Sequence, residues 1–151
     1  MVNYTPKLEP TQSSIDQQTN LTAKDFMLTS SLTVPIDMNV VEALHLICEH
    51  NVSGVPVVDK DQKILGYLSG KDCLKYVLDM KYYNESPGIV GDYMAKSLIT
   101  LKPTDTLMYT VELFIKNHFQ TYPVVDDGIL VGTVTRAQVM DQIRKMGQTS
   151  W

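Results

Sequence analysis

The hydroxyl of Ser69 and the carboxylate of Asp72 stand three residues apart in Gly66-Tyr67-Leu68-Ser69-Gly70-Lys71-Asp72, just ahead of an apolar-periodic run. That spacing admits two chemistries. A Ser followed three residues later by an acid is a capping box, which closes a helix start and binds nothing. The same groups also suit a ligand, since a carboxylate offers two acceptor oxygens to a diol, and a hydroxyl with first-turn amides can receive a phosphate. Lys71 bears on the choice: a cation in a first turn opposes the helix dipole by about 0.3–1 kcal/mol at an exposed position, and a bound anion would relieve the conflict. A second stretch, Gly132-Thr133-Val134-Thr135-Arg136-Ala137-Gln138, keeps the hydroxyl and the cation but carries Gln138 in place of the acid. Gln also completes a capping box, yet a neutral amide is the poorer acceptor for two hydroxyls. The two stretches should therefore differ as ligand sites, the one with Asp72 being the better.

Other reactive residues group less well. Cys48, Cys73, His45, His50 and His118 form no spaced metal-ligand set. Asp59, Asp61, Asp126 and Asp127 follow apolar runs at turn positions, where Asp bonds locally to the backbone. There is no nucleophile with an evident base and no phosphate loop of the Walker type, so neither a catalytic residue nor a metal is expected.

The elements that must position these groups occur twice. Ala23–Asp59 aligns without a gap on Val90–Asp126 at an offset of 67 residues, since 90 − 23 = 126 − 59 = 67. "DFM" meets "DYM", "PVVD" meets "PVVD", and after one deletion in a turn Ser69 meets Thr135. Such self-similarity points to two copies of one supersecondary unit. Each copy reads as strand, helix, strand, strand, helix. Leu32–Val34 is a short strand. Asn39–His50 is a helix with Val40, Val41, Leu44, Ile47 and Cys48 on one face, and "GVPVVD" and "ILGYLS" are strands around a polar turn. The second helix carries Cys73, Leu74, Val77 and Met80 on one face, repeated as Val139, Met140, Ile143 and Met146. A unit of this size has a marginal core alone, so the two should bury their sheets against each other. The expected fold is α/β (α+β), with two pseudo-symmetric β-α-β-β-α repeats at 23–82 and 90–147, a linker at 83–89, and polar tails at 1–22 and 148–151.

In these motifs the chain resembles the CBS domain pair, or Bateman module, over about Ala23 to Met146. The resemblance rests on "VSGVPVVD…ILGYLSGKDCL", its partner "FQTYPVVDDGILVGTVTRAQVM" and the "DFM/DYM" openings. It implies a non-catalytic sensor that binds an adenosine-containing regulatory ligand (AMP, ADP, ATP or a related compound) in clefts between the repeats. The ligand-binding residues it implies are Thr33, Val55, Pro56, Tyr67, Ser69, Lys71, Asp72, Thr121, Tyr122, Thr133, Thr135 and Arg136. Tyr67 and Tyr122 could each stack on adenine or plug the space. It further implies a homodimer and a separate regulated protein, because the 151 residues leave no length for an attached catalytic domain. The alternative is an interaction or scaffold protein that keeps the fold with its clefts empty or closed.

Composition narrows the partners. With 13 basic against 17 acidic residues and a net charge of −4 there is no basic stripe for nucleic acid. No apolar run is long enough to span a bilayer or serve as a secretory signal, so a cytoplasmic protein is expected. Leu46 and Leu113, at equivalent places opposite the apolar stripes of the first helix of each repeat, together with Tyr109, make the expected dimer patch.

Overall fold

A computed structural model describes residues 20–83 and 88–148. Helix α1 (Ala23–Phe26) leads to α2 (Val40–Glu49), strands β1 (Gly54–Val58) and β2 (Ile64–Ser69), and α3 (Gly70–Tyr83). The second repeat runs α4 (Val90–Tyr93), α5 (Leu107–Lys116), β3 (Thr121–Asp126), β4 (Ile129–Thr135) and α6 (Arg136–Gln148). Each hairpin is an antiparallel two-stranded sheet with a register shift at the matching place, Val57/Val58 and Val124/Val125. The expected first strand of each repeat is reduced to one parallel bridge, Val34 with Val57 and Leu101 with Val124. Residues 1–19 of the expected N-terminal tail, most of the linker and residues 149–151 lie outside the described residues. Leu21 and Thr22, placed in that tail, belong to the fold: Leu21 packs on a core and Thr22 bridges Thr106.

The two repeats exchange their openings. Ala23 N–H donates to the Asp105 carbonyl (2.8 Å), and Val90 N–H, 67 residues on, donates to Met38 (2.8 Å). The pattern continues with Lys24 to Pro103 and Gly91 to Ile36 (3.0 and 2.9 Å), and with Leu107 to Leu21 and Val40 to Gly88 (2.9 and 3.1 Å). As a result Ala23 and Phe26 lie in the core of the second repeat, and Val90 in that of the first. The motif glycines allow this crossing: a Cβ on Gly66 would lie 2.6 Å from Met94 Sδ, and one on Gly132 2.7 Å from Met27 Sδ. "DFM" and "DYM" are therefore read by the opposite repeat's Gly, a contact that holds two marginal cores as one body.

The helix faces correct the expected stripes. Helix α2 buries Val40, Ala43 and Ile47 and leaves Val41 and Cys48 exposed. Helix α5 buries Leu107, Thr110 and Leu113 and leaves Met108, Tyr109 and Ile115 exposed, Ile115 at 81%. Leu113 thus sits in the core and cannot supply the expected dimer patch, Leu46 is part-buried against the other core, and Tyr109 is exposed. The inward arc runs through the small residues Ala43 and Thr110, both fully buried. In α3 and α6 the buried positions are Cys73 and Tyr76, and Val139 and Met146, whereas Leu74, Val77, Met80, Met140 and Ile143 face outward. Burial and then the Asp72 charge push the Cys73 thiol up, which keeps it a protonated core group.

Candidate functional site

Strand register brings the reactive residues to one end of each hairpin. Gly54 pairs with Ser69 and Thr121 with Thr135. Gly70 N–H donates to the Ser53 carbonyl (2.9 Å) and Arg136 N–H to that of Gln120 (3.0 Å), so each hydroxyl-bearing helix start lies beside the turn that enters the neighbouring strand. Two clefts open there. The Ser69 cleft, about 640 Å³, is lined by Ser53, Tyr67, Ser69, Gly70 and Lys71 and by residues 116–121 of the second repeat. The Thr135 cleft, about 420 Å³, is lined by Thr133, Thr135, Arg136, Ala137 and Met140, by Leu28, Ser31, Leu32, Pro56 and residues 51–54 of the first repeat, and by Gln120 and Thr121. Both clefts therefore draw on both repeats.

The expected ligand residues are only partly brought together. Tyr67, Ser69, Lys71 and Thr121 line the first cleft; Pro56, Thr121, Thr133, Thr135 and Arg136 line the second. Thr33 lines a separate surface hollow with Asp37, Asp59 and Lys60. Val55 is fully buried in a core. Tyr122 is also core, its O–H donating to the Leu113 carbonyl (2.8 Å) and its ring packed edge-on against Phe114 and Phe119, so it neither stacks in a cleft nor plugs one. Asp72 stands one step behind the lining. Ser69 N–H and Oγ–H both donate to its Oδ2 (3.0 and 2.9 Å), and its own N–H donates to Ser69 Oγ (3.2 Å). In the second repeat Thr135 N–H donates to Gln138 Oε1 (2.7 Å) and Gln138 N–H to Thr135 Oγ1 (3.1 Å). Both capping boxes are formed, and among the described residues Asp72 Oδ1 accepts no hydrogen bond.

The clefts differ in charge and shape. Lys71, Lys116 and His118 converge on the Ser69 cleft, together with the half-exposed ring of Phe119, while among the described residues Arg136 is the one cation lining the other. Gly54 is required where Tyr67 crosses it, because a Cβ there would lie 2.7 Å from Tyr67 Cε1 and 2.6 Å from the Leu68 carbonyl oxygen. Burial pushes the Tyr67 phenol up, with the Thr121 and Ser53 hydroxyls pulling the other way. Neither hydroxyl meets hydrogen-bond geometry, and Tyr67 Oη is buried without a partner. Lys116, His118 and Phe119 were not among the expected residues. They come to the Ser69 cleft from the second repeat, and no local motif marks them in the sequence.

Comparison with known proteins agrees with this architecture. Residues 23–79 and 90–145 each match the CBS domain. CBSX2 from Arabidopsis thaliana, solved in complex with AMP, superposes with a TM-score of 0.75 at 30% identity, covering 83% of this chain and 97% of that one. Protein MJ1225 of Methanocaldococcus jannaschii is 26% identical over 116 residues, and an inosine-5'-monophosphate dehydrogenase of Aquifex aeolicus 34% over 111. The chain spans 40% and 22% of the length of those two relatives. With two matched repeats, exchanged openings and paired clefts between them, the chain belongs to the CBS domain family as a CBS pair.

Proposed function

We propose that this chain is a non-catalytic regulatory module that binds an adenosine phosphate in the Ser69 cleft and passes on its occupancy to a separate protein or through its own dimer. The observation that carries this reading is the convergence of Lys71, Lys116 and His118 with hydroxyls and two aromatic rings in one cleft. The AMP complex of CBSX2, at 30% identity, supports an adenosine ligand. In this reading Tyr67 and Phe119 offer ring faces to the base, and the lysines receive phosphate. Asp72 keeps its cap through Oδ2 and offers Oδ1 to a ribose hydroxyl, so capping and ligand binding do not compete. The Thr135 cleft, with Arg136 and apolar walls from Leu28, Leu32 and Pro56, suits adenosine compounds less charged than ATP, AMP among them. Tyr122 withdrawn into the core and two open clefts speak against a scaffold whose clefts are closed.

A thermal-shift panel of AMP, ADP, ATP and S-adenosylmethionine tests the proposal. A ligand that binds only the folded state at about 100 times its Kd stabilises by about 2.7 kcal/mol. No shift with any of the four at millimolar concentration would favour the scaffold, and turnover of ATP on incubation would reject the non-catalytic reading.

A further inference from the structure

The two clefts share a wall. Ser53, Gln120 and Thr121 line both, and Ser53 Oγ and Thr121 Oγ1 lie 3.5 Å apart. Tyr67 reaches this wall across Gly54 and ends in a buried O–H that has no acceptor among the described residues. The second repeat has no counterpart: Thr133 stands in the place of Tyr67, and Thr121 in that of Gly54. A buried unmet donor is costly, and the adjacent hydroxyls each carry one rotatable proton and two lone pairs. A ligand acceptor that draws the proton of Ser53 or Thr121 into one cleft turns that oxygen's lone pairs toward Tyr67. The remaining hydroxyl is then left with a different partner on the opposite side.

We infer that Tyr67, Ser53 and Thr121 form a three-hydroxyl relay that couples the two clefts, so that a ligand in one changes the affinity of the other. The inference rests on the reading of the clefts as adenosine-ligand sites. By linkage the factor is the same whichever cleft fills first.

Calorimetric titration with AMP measures that factor. Arg136→Glu leaves only the Ser69 cleft able to bind and Lys71→Glu only the Thr135 cleft. The coupling factor is the ratio between the second-site affinity of the unsubstituted chain and the affinity of the matching single-cleft variant. The expected result is two AMP per chain with a factor of about three or more in either direction. In the Tyr67→Phe background, with the same single-cleft variants made in it, the factor falls to one whatever the individual affinities become. Thr121→Val, which cuts the relay from the other side, gives the same collapse. A factor of one in the unsubstituted chain, a factor unchanged by Tyr67→Phe, or a single AMP per chain would overturn the relay while leaving the ligand reading intact. Absence of binding by AMP, ADP and ATP alike would overturn the ligand reading itself.

Discussion

At the residue scale the central question is whether Asp72 does more than cap a helix. Its Oδ2 is committed to Ser69, and its Oδ1 is not. Asp72→Asn keeps an oxygen for the cap and removes the charge, so stability should change by about 0.5 kcal/mol or less in chemical denaturation. Nucleotide affinity should fall by about 1.5–3 kcal/mol in calorimetry, the range for hydrogen bonds to a charged group. Equal and small changes in both would reduce Asp72 to a cap. Gly54 gives a second prediction at this scale. Gly54→Ala sets a Cβ against the Leu68 backbone and the Tyr67 ring, and overpacking of this kind should cost about 1–3 kcal/mol, read as a lower denaturant midpoint. The Ser-x-x-Asp and Thr-x-x-Gln pairs were legible in the sequence because capping is local. Which side of the cap faces a cavity was not, because Lys116 and Phe119 arrive from the other repeat.

At the element scale, the duplicated strand-helix-strand-strand-helix order was legible from the 67-residue offset, and the helix faces were not. Helices α2 and α5 carry apolar residues around much of their circumference, so periodicity alone left the inward arc undecided. The deciding residues, Ala43 and Thr110, are not conspicuous hydrophobes; Thr110 is tolerated in the core because its O–H donates to the Thr106 carbonyl (2.9 Å). The short first strand was overstated for a related reason: a β-rich tripeptide does not reveal that its partner is met at a single bridge. These faces separate two variants of nearby positions. Leu113→Ala should cost about 2–5 kcal/mol by opening a cavity in the core. Ile115→Glu, two residues on, should leave the monomer's stability within about 0.5 kcal/mol. Urea unfolding of both checks the assignment, and a destabilising Ile115→Glu beside a neutral Leu113→Ala would reverse it.

For the whole molecule, the exchanged openings tie the two repeats together through backbone hydrogen bonds and shared cores, and the outward apolar arcs point to how that body associates. Leu74, Val77 and Leu78 on α3, Met140 and Ile143 on α6, and Ile115 on α5 are all at least 44% exposed, and exposed apolar residues that join into a patch mark interfaces. A homodimer through these faces, in place of Leu46 and Leu113, is the expected assembly. Sedimentation should show a dimer that Leu78→Glu/Ile115→Glu converts to a folded monomer, whereas a chain that is already monomeric at tens of micromolar would refute it. The central claim is the Ser69 cleft as an adenosine-phosphate site, and calorimetric titration of ATP into the unsubstituted chain and into Lys71→Ala/Lys116→Ala tests it most directly. The account predicts saturable binding that the paired substitution weakens at least tenfold without loss of folding; affinity unchanged by removal of both lysines would contradict it.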